Sequence, residues 1–128
     1  MGAAFILKKA DLAIIIFDLS KEFATGTAEV WVNYVKRNSD HADIILIGTN
    51  CCKNSLDVDE NNRCLQDFAI TSQLHYFPAD YNMGEGINPI REHLYERAKN
   101  FVYLKMKAFF HPLIFQYIPI RISVAKQF

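Results

Sequence analysis

Charge of one sign has no excess in this chain: 14 Lys and Arg residues balance 14 Asp and Glu over 128 residues. That balance removes the electrostatic footprint of a nucleic-acid binder, and no acidic tail stands out. Local basic pairs such as Lys8-Lys9 and Lys36-Arg37 read as solvated turns. Cysteine is scarce as well. Cys51, Cys52 and Cys64 are too few for a disulfide framework, and an odd number cannot all pair, so they are expected as free thiols in a reducing compartment. There is no internal repeat and no low-complexity segment. The opening MGAAFILKKAD is too short in its apolar part for a signal peptide, and Ile6 stands where a myristoylation pattern wants Ser or Thr. The expectation is a cytoplasmic domain.

What is present is enough chain for one real core. Hydrophobic residues make up 51% of it and charged residues 22%, a globular composition. Residues 12–17 (LAIIIF) form a continuous apolar run ended by Asp18, which predicts a strand buried on both faces. Residues 44–47 (IILI), closed by Gly48, predict a second such strand, and residues 74–77, stopped by Pro78, a short third. Helical spacing fills the intervals. Thr27 is expected to cap a helix with Val30, Tyr34 and Val35 on one face and Trp31 at its edge. Asp57 or Asp59 is expected to cap a second, with Cys64, Leu65, Phe68 and Ala69 inward. Asn88-Pro89 is expected to start a third, with Ile90, Leu94, Ala98 and Phe101 or Val102 as its stripe.

Strands alternating with helices imply βαβ crossovers and a parallel sheet, and ligands of such sheets bind at loops leaving the carboxyl ends of strands. Three loops hold that position: residues 18–26, 49–57 and 78–86. The last part differs in character. Residues 108–120 (AFFHPLIFQYIPI) are nearly all apolar, but they are shorter than the ~20 residues of a membrane helix and carry Pro112 and Pro119. A tail packed on the body, an interfacial segment and unselected sequence are the readings open to it. The division expected is therefore a domain over residues 1–104 and an apolar tail over 105–128.

Taken together, KKADLAIIIFDLS, VWVNYVKRNSDHADIILIG and LHYFPADYNMGEGINPIREHLYERAK resemble the carboxyl-terminal half of a Ras-superfamily small GTPase, most like the Rab branch. Ala10-Asp11 precedes the first strand and Phe17-Asp18 ends it, as in that family. Trp31 sits early in the next helix, Gly48 ends the next strand, and Gly84-Glu85-Gly86-Ile87 looks like the turn into the last helix. The resemblance covers about residues 8–100. It implies an α/β, three-layer parallel sheet of P-loop small-GTPase type, incomplete at its first strands. It implies GTP or GDP and Mg²⁺ as ligands, protein effectors or regulators as partners, and a role in vesicle transport at the periphery of endomembranes.

The nucleotide motifs depart from that pattern. The family reads guanine with Asn-Lys-x-Asp, whose carboxylate accepts from guanine N1 and N2. Aligned without a gap, those positions are Thr49, Asn50, Cys51 and Cys52; shifted by one, they are Asn50, Cys51, Cys52 and Lys53. Neither register keeps the Asp, and each guanine donor left unpaired costs roughly 1–3 kcal/mol. Ser-Ala-Lys aligns with Asp80, Tyr81 and Asn82, where only a backbone N–H contact would survive and Asp80 reads as a turn former. The 128 residues hold no G-x-x-x-x-G-K-[ST], no switch threonine and no Asp-x-x-Gly, so the ligands for phosphate and magnesium are absent and no catalytic residue is assigned. Prenylatable carboxyl-terminal cysteines are also missing.

Thr49, Asn50, Cys52, Lys53, Asp80, Tyr81 and Asn82 are thus the candidate base-side residues. In the family the first strand is central and lies beside the strand that begins here at Leu12. Without it an isoleucine-rich edge is bare, to be covered by the tail after Phe101 or by an edge-strand partner. Zinc is not expected, because adjacent cysteines chelate one ion poorly, even with His41 or His75 nearby. Cys64 reads as core, Cys51 has no nucleophile motif, and His93 reads as solvated. Three functions fit: a Rab-like GTP-binding protein, a nucleotide-free interaction module, or a gene fragment without a function.

Overall fold

The isoleucine-rich runs at residues 12–17 and 44–47 do become strands buried on both faces. The computed structural model describes residues 10–21, 25–109 and 122–126. Its elements are β1 (Leu12–Asp18), α1 (Thr25–Asn38), β2 (Asp43–Thr49), α2 (Leu56–Ser72), β3 (His75–Pro78), α3 (Ile87–Phe109) and β4 (Ile122–Lys126). The strands form one sheet in the order β3-β2-β1-β4, with every pairing parallel. The fold is α/β.

Alternation along β1 and β2 divides the core in two. Ala13, Ile15, Phe17, Ile44 and Leu46 point to one face, where Ala28, Val32 and Val35 of α1 and Val58, Leu65 and Ala69 of α2 meet them. Leu12, Ile14, Ile45 and Ile47 point to the other, against Phe77 and Ile87, Ile90 and Leu94 of α3. Burial on this scale stabilises by about 1.5–3 kcal/mol per large aliphatic side chain. At the amino end of the sheet, buried Asp11 accepts from or pairs with His41 Nε2 at 2.9 Å.

Several local expectations are corrected. The buried face of α1 is Ala28, Val32 and Val35, with Trp31 and Tyr34 packed against it, whereas Val30 points to solvent. The helix begins at Thr25, so Thr27 lies inside its first turn. Ser55, not Asp57 or Asp59, caps α2 by accepting from the Val58 N–H at 3.2 Å; the two carboxylates follow in the first turn, where they favour the positive end of the helix dipole. α3 starts at Ile87, one residue before Asn88. Pro78 pairs with Gly48 as the last residue of β3, a place on an outer strand that proline tolerates. His93 is half-buried, not solvated.

The fourth strand is the principal addition. β4 lies on the free side of β1 in register, Ile14 opposite Val124 and Ile16 opposite Lys126. The edge of β1 is therefore covered by the tail itself, through residues just beyond the apolar run. Residues 110–121, which hold most of that run and both of its prolines, lie outside the described residues, as do Lys8-Lys9 and the side chains of Phe101 and Val102.

Candidate functional site

Because all four strands are parallel, the loops after β1, β2 and β3 gather at one end of the sheet. The first two are tied at their roots. Leu19 N–H donates to the Thr49 carbonyl at 3.0 Å, and the Thr49 hydroxyl donates to the Phe17 carbonyl at 3.2 Å. Thr49 is buried, so its hydroxyl serves the junction between strands.

Asn50 follows in a left-handed conformation, φ 62°, which asparagine tolerates better than most residues. That turn sends its amide back to β1, where Nδ2 donates to Asp18 Oδ1 at 2.7 Å. The same oxygen accepts from the Ser20 N–H at 3.0 Å and the Ser20 hydroxyl at 2.6 Å. Burial pushes the Asp18 carboxyl upward, but these donors from Ser20 and Asn50, with the Lys53 charge, outweigh it and hold the group below its ordinary value. Lys53 and Cys52 are exposed.

Cys51 turns inward and packs against the core, with its N–H on the Ala79 carbonyl at 3.1 Å. Its sulfur lies 3.9 Å from that of Cys52. Burial, the neighbouring thiol and the carboxylates of Asp80 and Glu85 push the Cys51 thiol up to about 11, so it is no thiolate nucleophile at neutral pH.

The third loop is closed on itself. Asp80 and Glu85 exchange both backbone hydrogen bonds, at 2.9 and 3.1 Å. Buried Asp80 accepts from the N–H groups of Asn82 and Met83 at 2.9 and 3.2 Å, the turn-forming role expected of it. Tyr81 and Asn82 stand out in solvent. Gly86 is required at the exit: its φ is +76°, and a Cβ there would strike the Pro78 carbonyl. Gly48 is needed for a different reason, since a Cβ would run into the Tyr76 hydroxyl and Leu19.

Between the second and third loops lies an open cleft of about 520 Å³, lined by Cys51, Cys52, Phe77, Glu85, Gly86 and Pro89, among others. Of the candidate residues, Cys52 reaches this cleft. Thr49 is consumed in the sheet, Asn50 is committed to Asp18, and Asp80 serves its own turn. The second loop does not fit guanine as the family reads it: it presents two thiols and an ammonium where its carboxylate would be needed, Asp57 and Asp59 are exposed on α2, and the carboxylate that lines the cleft, Glu85, belongs to the third loop. For magnesium, no group of three His, Cys, Asp or Glu side chains able to hold a metal ion occurs among the described residues.

Four residues of this region were given no contact role from sequence, and two of them, Asn61 and Asn62, lie outside its three loops. Asp18 is the anchor of Asn50, Asn61 Nδ2 donates to the Leu19 and Lys21 carbonyls at 2.9 and 3.0 Å, Asn62 accepts from the Tyr76 hydroxyl at 2.6 Å, and Glu85 faces the thiols. The only signal for the two asparagines was their adjacency one turn into a helix that follows the loop. Among the described residues no helix is long and apolar enough to cross a membrane. No family model, no curated protein and no solved structure matches this chain.

Proposed function

We propose that this chain is part of a Rab-like small-GTPase domain of P-loop type, with the family's role in intracellular vesicle transport, and that its base-side loops are impaired in guanine binding. The observation that carries the reading is positional. β1, β2 and β3 lie side by side in the order the resemblance requires, and their loops meet at one end of the sheet. β4 pairs with β1 on the side where the family has its first strand. A cytoplasmic place at the periphery of endomembranes follows from the same resemblance.

Guanine selectivity is the part of the family's chemistry that the described loops bear on. The second loop offers sulfur and ammonium where the family has its carboxylate, and each N1 or N2 donor left unpaired costs roughly 1–3 kcal/mol; the Glu85 carboxylate that lines the cleft comes from the third loop. Asn50, already bound to Asp18, is the natural counterpart of the family's asparagine. That register puts Lys53 at the position of the missing carboxylate. Titration with fluorescent GDP and GTP analogues, with and without magnesium, tests the reading. The expected result is no saturable binding by the natural sequence and measurable gain in Lys53→Asp, at least about tenfold for one restored pair of acceptors. Saturable, magnesium-dependent GTP binding by the natural sequence would overturn it.

A further inference from the structure

We propose that Cys51 and Cys52 form a dithiol site for a neutral, trivalent thiophilic centre of the arsenous type, bridged between their sulfurs at the mouth of the cleft. The sulfurs are 3.9 Å apart, and Cys52 is exposed. With bonds of about 2.3 Å, the length of a zinc–thiolate bond, an angle of about 90–110° at the bridging atom spans about 3.3–3.8 Å. A small rotation of the exposed Cys52 side chain closes the difference, while the Cys51 backbone stays fixed on Ala79.

Geometry separates this from the two commoner fates of paired thiols. A disulfide wants its Cα atoms at least about 4.4 Å apart, whereas neighbours across a trans peptide stand about 3.8 Å apart. No cis peptide occurs among the described residues. Direct Cys51–Cys52 oxidation is therefore strained, and the pair stays available as thiols. A tetrahedral zinc site needs four ligands, and among the described residues no third ligand joins the pair.

The charge around the pair selects the reagent. Asp80 and Glu85 oppose any added negative charge, and the half-buried Cys51 thiol keeps its proton at neutral pH. A monovalent metal on two thiolates would leave a net anion there, and a divalent one, though neutral, would be two ligands short of a tetrahedron. The arsenous reaction leaves no net charge: phenylarsine oxide plus two thiols gives the phenyldithioarsenite plus one water. Two As–S bonds form, the As–O bonds break, both thiol protons leave in the water, and arsenic stays trivalent throughout.

The test treats the full chain with phenylarsine oxide and reads intact mass and remaining free thiols. The natural protein and Cys64→Ser should take up one arsenic and lose two thiols. The adduct should resist glutathione at concentrations about 10²–10⁴-fold above those that strip a singly bonded arsenic, yet be removed by a dithiol such as 1,2-ethanedithiol. Cys52→Ser, a change at an exposed position, should lose the glutathione-resistant adduct with its circular dichroism unchanged. No resistant adduct on the natural protein, its survival in Cys52→Ser, or its loss in Cys64→Ser would each overturn the assignment.

Discussion

The Asn50 side-chain amide donates to the Asp18 carboxylate across 2.7 Å, joining the loops that leave the two central strands. The bond consumes the one residue that the guanine-reading motif would have kept. It also makes the pair a structural clasp between the loops, since the same carboxylate oxygen holds Ser20.

The clasp predicts a split between two substitutions at residue 50. Asn50→Ala loses the hydrogen bond and keeps a Cβ at φ 62°, now without the amide that offsets its strain. Asn50→Gly loses the bond but relieves the backbone. Urea denaturation at pH 7 should find Asn50→Ala less stable by roughly 2 kcal/mol and Asn50→Gly by roughly 1 kcal/mol or less. The acid limb should change too. The folded Asp18 carboxyl titrates below its ordinary value of 3.8, so its contribution is present above that value and fades as pH falls through the lower, folded one. In Asp18→Asn that part of the acid loss should be missing. Equal stability of the Ala and Gly variants would show that the backbone at residue 50 carries no strain.

β4 leads to a prediction about exchange. Its pairing with β1 gives the tail a role in the sheet and leaves β1 with a neighbour on each side. In the intact chain the amides of Ile14, Ile15 and Ile16 should be among the slowest to exchange with deuterium. Ending the chain at residue 121 should speed exchange at those that donate to β4 and produce concentration-dependent association through the bared edge. Fast exchange along Ile14–Ile16 in the intact protein would mean that β4 does not hold its place in solution.

The two inner strands were legible because a run such as residues 12–17 has one physical solution: isoleucine on both faces demands cover on both faces. Loop positions followed from that topology. The capping residue of α2 was missed because Ser55, Asp57 and Asp59 are all good acceptors, and the choice among them rests on where the chain turns, not on composition. Val30 reads as inward because residues 28–35 offer two overlapping apolar stripes, and the sheet selects the one with Ala28, Val32 and Val35. β4 is not legible locally, because no period announces five residues beyond two prolines as a strand; only the bare side of β1 calls for one. In the candidate site, residue types were readable and their partners were not. Asn50 and Asp18 are 32 positions apart, and nothing local links them.

His93 also departs from its reading as a solvated side chain, and it yields the second pH prediction. Its ring lies 4.4 Å from that of His75 and 5.1 Å from Phe77, and its Nε2 is buried with no hydrogen-bond partner. Arg97 on the same helix and Asp43 at the start of β2 complete the surroundings, with a 3.4 Å ion pair between them. Burial, then the charges of His75 and Arg97, hold the His93 imidazole below its ordinary value of 6.5, while Asp43 opposes them. The unfolded chain therefore takes up its proton first. Stability owed to neutral His93 is whole above about 6.5, declines as pH falls from there toward the lower folded value, and changes no further below it. His93→Phe keeps the ring packing and removes both the orphaned nitrogen and the titration. At pH 7.5 it should match the natural protein or exceed it by about 1 kcal/mol. Between pH 7 and 5 the difference in its favour should widen, as read from paired urea midpoints. A difference that stays constant across that range would show that His93 does not titrate below its unfolded value.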